Sequence, residues 1–285
     1  CDYVLAELVK GGAPEEITYI GKPHVGTDIL KDVVKNIRKK IIQLGGEVRF
    51  SSKLEYINKE NGKVKSIIVN GEEISCEAVI LALGHSARDT YEMLYEVGLE
   101  MAQKAFAIGV RIEHPQDLIN KSQYGKFHNH PKLKAADYKL TYQCKESRRG
   151  VYSFCMCPGG YVVNASSEHG ETCVNGMSYS GRDGENSNSA IVVNVTPEDY
   201  GSDHPLAGMK FQRRWEKAAY EAGQGAVPVQ LFGDYRRDIP TEKLGGVKPQ
   251  IKGEYRLTSL KCCLPEYIKN AIIEGVVSFD KRMPG

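Results

Sequence analysis

Apolar residues recur at helical spacing from Thr27 to Leu44, where Leu30, Val33, Val34, Ile37, Ile41 and Leu44 fall on one stripe. Asp28 stands in the first turn, and Lys35, Arg38, Lys39 and Lys40 crowd the second half, as the helix dipole favours. Gly45-Gly46 then supplies a stop. Alternation follows in Lys53–Asn58, Lys63–Val69 and Glu72–Cys76, separated by Asn61-Gly62 and Asn70-Gly71. Asn-Gly suits a type I′ turn, whose two central residues need positive φ, so an antiparallel meander is predicted. The run Ala78-Val79-Ile80-Leu81-Ala82-Leu83 has no alternation and predicts a parallel strand covered on both faces. Gly84 ends it, and the Ser86 and Asp89 spacing predicts a capped helix through about Val97.

From Lys104 the chain changes character. Alternating segments at Phe106–Ile112, Tyr138–Tyr142, Val151–Cys155, Tyr161–Ala165 and Ile191–Val195 predict a mostly β region with long polar loops. Helices are expected over Pro205–Gly223 and Pro265–Phe279. The pattern predicts an α/β chain, α+β overall. Residues 1–103 and 266–285 would form one domain around the buried run, with 104–265 inserted as a mostly β substrate domain.

Composition narrows the classes. Of 285 residues, 41% are hydrophobic and 26% charged, and 38 basic against 36 acidic residues leave a formal charge of +2. That balance gives no electrostatic footprint for nucleic acid or for a polybasic membrane protein. Mean hydropathy is −0.39, and no apolar run approaches the length of a membrane span. A cytoplasmic protein with a small-molecule partner is expected. The chain opens at Cys1 and stops at Met283-Pro284-Gly285, so it reads as a piece of something longer. Eight cysteines are too few for a disulfide scaffold, and none has paired C-x-x-C spacing. Reduced thiols without metal are expected.

Several segments carry possible chemistry. At Ala82-Leu83-Gly84-His85, a strand end, a glycine and a helix start are where open α/β sheets bind ligands. The G-x-G-x-x-G fingerprint that would cradle a pyrophosphate is missing, since Gly11-Gly12 and Gly223-Gln224-Gly225 fail its spacing. In Tyr152–Val163, Cys155 and Cys157 precede a Pro-Gly-Gly turn. This is either a plain hairpin or a redox or substrate-facing thiol site. The loop from Asn175 to Ala190 is dense in hydroxyls, amides and glycines. Within it, Arg182 could clamp a carboxylate with Asp183 holding it, although a solvated loop fits equally well. His24 precedes a helix N-terminus where an anion could sit, and His128 and His130 lack a third metal ligand nearby.

Together "GKPHVGTDIL", "VILALGHSARDT", "FAIGVRIEHP", "VYSFCMCPGGYVV", "NGMSYSGRDGENSNSA" and "PLAGMKFQRRWEKAA" resemble the bacterial uncharacterised FAD-dependent dehydrogenases. That group belongs to the glutathione-reductase-like flavoproteins and is also called NAD(FAD)-utilising dehydrogenases. The resemblance implies a partial FAD-binding Rossmann-like domain. In it, Ala82, Leu83, Gly84 and His85 would lie beside FAD, and Lys53 and Leu54 beside its adenine. It further implies an FAD-dependent oxidoreductase of unassigned substrate, with hydride transfer through the flavin. Arg182 and Asp183 would orient the substrate, and Cys155, Cys157 or His85 would relay a proton. The N-terminal fingerprint and the C-terminal FAD segment of that group are absent, and no NAD(P)H-binding domain is evident. A non-catalytic flavoprotein-like binding module and an RNA-modifying flavoenzyme are the alternatives.

Overall fold

A computed structural model describes residues 1–284. Helix α1 (Asp2–Lys10) and helix α2 (Thr27–Gln43) open the chain. Strands β1 (Leu54–Glu60), β2 (Lys63–Val69) and β3 (Glu72–Ser75) and helix α3 (Arg88–Glu96) follow. Next come strand β4 (Phe106–Pro115), helix α4 (Gln116–Tyr124), β5 (Thr141–Gln143), β6 (Gly150–Cys157), β7 (Tyr161–Asn164), β8 (Val174–Met177) and β9 (Asn186–Val195). The chain continues through α5 (Ala207–Gly223), β10 (Val227–Val229), α6 (Phe232–Arg237), β11 (Ile251–Lys252), β12 (Tyr255–Leu257) and α7 (Glu266–Asp280). The mixture of helices and sheets is α+β, as the sequence pattern indicated. Among the described residues no helix is long and apolar enough to cross a membrane.

Two compact units are present. One comprises Cys1–Lys39, Phe106–Val195 and the chain from Arg213 onward; the other comprises Lys40–Ala105 and Thr196–Gln212. The C-terminal segment thus shares a unit with residues 1–39 and with Phe106–Val195, while Lys40–Ala105 stands with Thr196–Gln212. Helix α7 packs on β4, β5, β6 and β9, and Val33 of α2 is buried with Ala13 and Ile17 in the first unit.

The first unit is built on an antiparallel sheet in the order β4-β9-β6-β5. β4 and β9 pair without interruption from Phe106↔Val195 to Pro115↔Asn186. Val151, Ile191, Val193 and Val195 are buried in the sheet, as are Ile268, Ala271 and Ile272 of α7. Gly275 sits mid-helix, where glycine is normally unfavourable. Its place is explained by packing, because a Cβ there would lie 2.6 Å from Val151 Cγ1. A smaller sheet runs β11-β7-β8, and β10 pairs with β12.

In the second unit, β1, β2 and β3 form the predicted antiparallel meander. Asn61 and Gly62 (φ 51° and 77°) and Asn70 and Gly71 (φ 49° and 80°) adopt the positive φ that its turns require. The expected buried strand is a different matter. Residues 78–83 have no strand ladder, and Ile80 is 92% exposed. A strand is buried only when neighbours supply hydrogen bonds and cover both faces. The ladder of this unit ends at Ser75, and no strand among the described residues pairs with 78–83. The parallel layer of a Rossmann-like domain is therefore absent from the described sheets. Val79 and Leu83 instead line an open groove with Leu54, Ile67, Val69 and Ile74. The α2 stripe is likewise only partly used: Val33 is buried, while Val34 and Leu44 are exposed.

Replacement Gly275→Val tests the helix–sheet contact. Overpacking against Val151 is expected to lower unfolding free energy by about 1–3 kcal/mol. Val151→Ala in the same chain should recover part of that loss. Urea denaturation of the three proteins checks both outcomes.

Candidate functional site

The two segments singled out for chemistry, Tyr152–Val163 and Asn175–Ala190, come together at the polar end of the four-stranded sheet. The Gly160 N–H donates to the Asn186 carbonyl (2.9 Å), and the Gly184 N–H donates to the Gly159 carbonyl (3.0 Å). Ser178 Oγ donates to the Pro158 carbonyl (2.8 Å). Gly159 has φ 48°, and a Cβ there would overlap the Arg182 carbonyl, so the turn needs glycine for two separate reasons.

Strand β6 carries a bulge at this point. Phe154 pairs with Ala190 and Cys157 pairs with Asn188, leaving Cys155 and Met156 opposite the single residue Ser189. Cys155 occupies the left-handed region at φ 46°. A residue with a Cβ pays on the order of 1–2 kcal/mol for that conformation, so surrounding contacts must hold it. Arg111 of β4 supplies them. Its Nη2 donates to the Cys155 carbonyl (2.6 Å) and contacts Cys157 Sγ (3.5 Å). Its Nε donates to Asn188 Oδ1 (2.8 Å), and its Nη1 donates to Asn175 Oδ1 (3.2 Å). Gly176 leaves the space for this, since a Cβ there would overlap the guanidinium.

The thiols differ. Cys155 is exposed and Cys157 is buried. A hydrogen bond from the Cys157 thiol, helped by the Arg111 charge, brings Cys155 down to about 6 from 9.0. That same hydrogen bond, followed by burial, pushes Cys157 up.

Strand β9 opens with Asn186, Ser187, Asn188 and Ser189, all buried. Asn186 is well satisfied: its N–H donates to Gln250 Oε1 (2.7 Å) and its Nδ2 to the Lys248 carbonyl (2.8 Å). Glu113 Oε1 accepts from the Gln250 N–H (2.9 Å), while burial pushes its carboxyl up. Asn188 Nδ2 and His114 Nε2 are buried without a hydrogen-bond partner. An unpaired buried polar group costs about 1–3 kcal/mol, which makes each a feature that packing alone does not explain.

The expected catalytic residues divide between the two units. Cys155, Cys157, Arg182 and Asp183 belong to the first, and exposed His85 belongs to the second. Arg182 adopts φ 51°, its N–H donates to the Tyr179 carbonyl (3.2 Å), and its buried Nε has no partner. Asp183 is exposed, and no ion pair joins it to Arg182 among the described residues, so the expected carboxylate support is missing. The N-terminus of α2 is closed from within: Asp28 accepts from Ser180 N–H (2.9 Å) and Oγ (2.6 Å), where an anion had been considered. His24 Nε2 lies 3.2 Å from the Tyr179 carbonyl, and burial lowers its pKa. Lys252 Nζ stands over the Tyr161 ring at 4.0 Å. Among the described residues no three His, Cys, Asp or Glu side chains converge as metal ligands.

A family model described as FAD-dependent protein, C-terminal domain-like, matches residues 105–285. The chain belongs to this family of FAD-dependent proteins. An uncharacterized protein of Clostridium beijerinckii (strain ATCC 51743 / NCIMB 8052) is 58% identical over 287 residues, covering 100% of this chain and 54% of that protein. The chain thus spans about half the length of the curated relative it matches. Arg111, Cys155, Cys157, Arg182 and Asn188 all lie inside the matched residues, whereas Lys53, Leu54 and Ala82–His85 lie outside them.

The latter group is poorly suited to hold FAD by itself. Lys53 Nζ is 2.7 Å from Asp89; α3 is capped at Ala87, so Ser86 and Asp89 do not occupy the Ncap and N3 positions that a capping box needs. Leu54 lines the apolar groove, and Ala82, Gly84 and His85 are exposed on irregular backbone. The Gly84 carbonyl accepts from Tyr91 Oη (3.1 Å). No glycine-rich turn opens onto a helix N-terminus here, so a pyrophosphate has no cradle among these residues.

His114 provides a pH test of this buried polar end. Burial takes its pKa from 6.5 to about 4, so between those values the unfolded chain binds the proton and the folded chain does not. Stability must therefore fall as pH drops through that window, by up to about 3 kcal/mol from this group. Denaturation of the native chain and of His114→Phe at several pH values should show a shallower acid loss in the variant.

Proposed function

We propose that the longer protein is an FAD-dependent oxidoreductase acting on a small-molecule substrate, with residues 105–285 as its substrate-facing part. The observation that supports this reading is the convergence of an exposed thiol of lowered pKa, the Arg111 guanidinium and unpaired buried polar nitrogens at one end of one sheet. FAD, when bound, would supply exchange of an electron pair as a hydride equivalent. The residues of this chain would do the remaining work. Arg182, whose Nε lacks a partner, would bind an anionic group of the substrate. Cys155 would be the reactive thiol, and Arg111 would hold it in place.

In this reading FAD is held chiefly by the portion of the longer protein beyond this sequence, and the exposed run 78–83 is paired there. Its apolar composition and 92% exposed Ile80 are what a strand shows when its neighbours are missing. A soluble cytoplasmic setting fits the free thiols.

Expression of the longer protein beside the 285-residue chain tests the proposal. After desalting, the longer protein should retain near-stoichiometric FAD by visible absorbance, and the shorter chain little or none. A longer protein that stays colourless after incubation with FAD would overturn it.

A further inference from the structure

We propose that Cys155 and Cys157 form a thiol–disulfide exchange centre that reduces a low-molecular-weight organic disulfide. The inference deepens the oxidoreductase reading and rests on it for the direction of electron flow. Its geometry stands on the thiol cluster alone.

Residues two apart on a regular strand have Cα atoms separated by about 6.6–6.8 Å, at the upper limit for a disulfide. The bulge changes this. Cys155 and Met156 together face one residue across the ladder, and the Cys157 thiol turns back to donate to the Cys155 carbonyl (3.4 Å), which brings its sulfur against Cys155. The pair is also asymmetric in the way exchange requires: Cys155 is exposed to an incoming disulfide, and Cys157 is buried behind it. Arg111 Nη2 lies 3.5 Å from Cys157 Sγ, where it can stabilise that thiolate when the second step needs it. The buried, unpaired Nδ2 belongs to Asn188, the residue paired with Cys157 across the ladder. It is a donor with no partner in the free protein, beside the proposed site. A small ring closed over only one intervening residue is strained, which makes the resulting disulfide easy to reduce again and suits turnover better than structure.

The chemistry balances without further reagents. The Cys155 thiolate attacks one sulfur of the external disulfide, the S–S bond breaks, and half of the molecule leaves as a thiolate that takes a proton from water. The Cys157 thiol then releases its proton to water and attacks Cys155 Sγ, expelling the second half as a thiolate. Two protein thiols are oxidised to one disulfide, and the external disulfide is reduced to two thiols.

The probe is 5,5′-dithiobis(2-nitrobenzoate), added to the 285-residue chain at a pH of about 6.5 with absorbance recorded in a stopped-flow instrument. A fast phase releasing about two equivalents of aryl thiolate per chain is expected, with no aryl group retained on the 155–157 peptide and that peptide lighter by two hydrogens. Weighing the larger thiolate fraction against its lower nucleophilicity, the phase should run about five- to tenfold faster than an ordinary exposed thiol. Cys157→Ser should release about one equivalent quickly and keep the aryl group on Cys155, and Cys155→Ser should lose the fast phase. A stable aryl adduct on Cys155 of the native chain would overturn the proposal, as would reaction no faster than at Cys262. Both outcomes are read on the native chain, so a poorly folded variant does not obscure them. No flavin enters the assay: failed exchange leaves the FAD result standing, and a colourless longer protein leaves the exchange result standing.

Discussion

The guanidinium of Arg111 is the interaction on which the thiol site depends. It reaches from β4 to Asn188 on β9, Asn175 on β8 and the Cys155 carbonyl on β6. A planar fork can serve three strands at once, which a lysine ammonium cannot do with fixed geometry. The close approach is possible because Gly176 places no side chain beneath it. With these contacts, β6 can keep an extra residue and hold Cys155 in left-handed backbone. Without them, that conformation keeps only the weak Cys157 thiol bond to the Cys155 carbonyl, and a regular strand would turn the cysteines differently.

The sheet divides its labour along its length. In the second half of β9, Ile191, Val193 and Val195 are buried in the alternation of an ordinary sheet, and α7 packs on that sheet. In the first half, four consecutive polar residues are buried, unpaired polar nitrogens remain at Asn188 and at His114 of the paired strand, and the neighbouring strand bulges. The apolar half must stabilise the polar half, since unsatisfied groups and strained backbone both oppose folding. Such a concentration of unfavourable features at one end of a well-packed sheet is characteristic of a functional site.

What could be read from the sequence was what is local. The two Asn-Gly turns fix their own φ values, so the meander was legible, with β2 at its expected bounds and the ends of β1 and β3 shifted by one or two residues. The Cys-Met-Cys-Pro-Gly-Gly and Arg-Asp-Gly segments stood out by residue type, although their convergence depends on pairing that composition does not encode. The run 78–83 misled because burial belongs to a strand's neighbours as much as to its own residues. Arg111 and Glu113 were passed over because polar residues in an alternating strand ordinarily face water. The charged positions of β4 were the available signal: their strand is only partly exposed along its length. Ser86 and Asp89 were expected to cap a helix, but the helix begins one residue later, with Ala87 at its N-cap.

The central claim is that Arg111 and Cys157 together set the state of Cys155. Ultraviolet thiolate absorbance, titrated over acidic to mildly basic pH, measures this directly. The account predicts one thiolate appearing with a midpoint near 6 in the native chain, absent in Cys155→Ser and moved to higher pH in Arg111→Met. A native chain showing no thiolate until the range of an ordinary cysteine, about 8.5, would contradict it, as would a midpoint indifferent to Arg111.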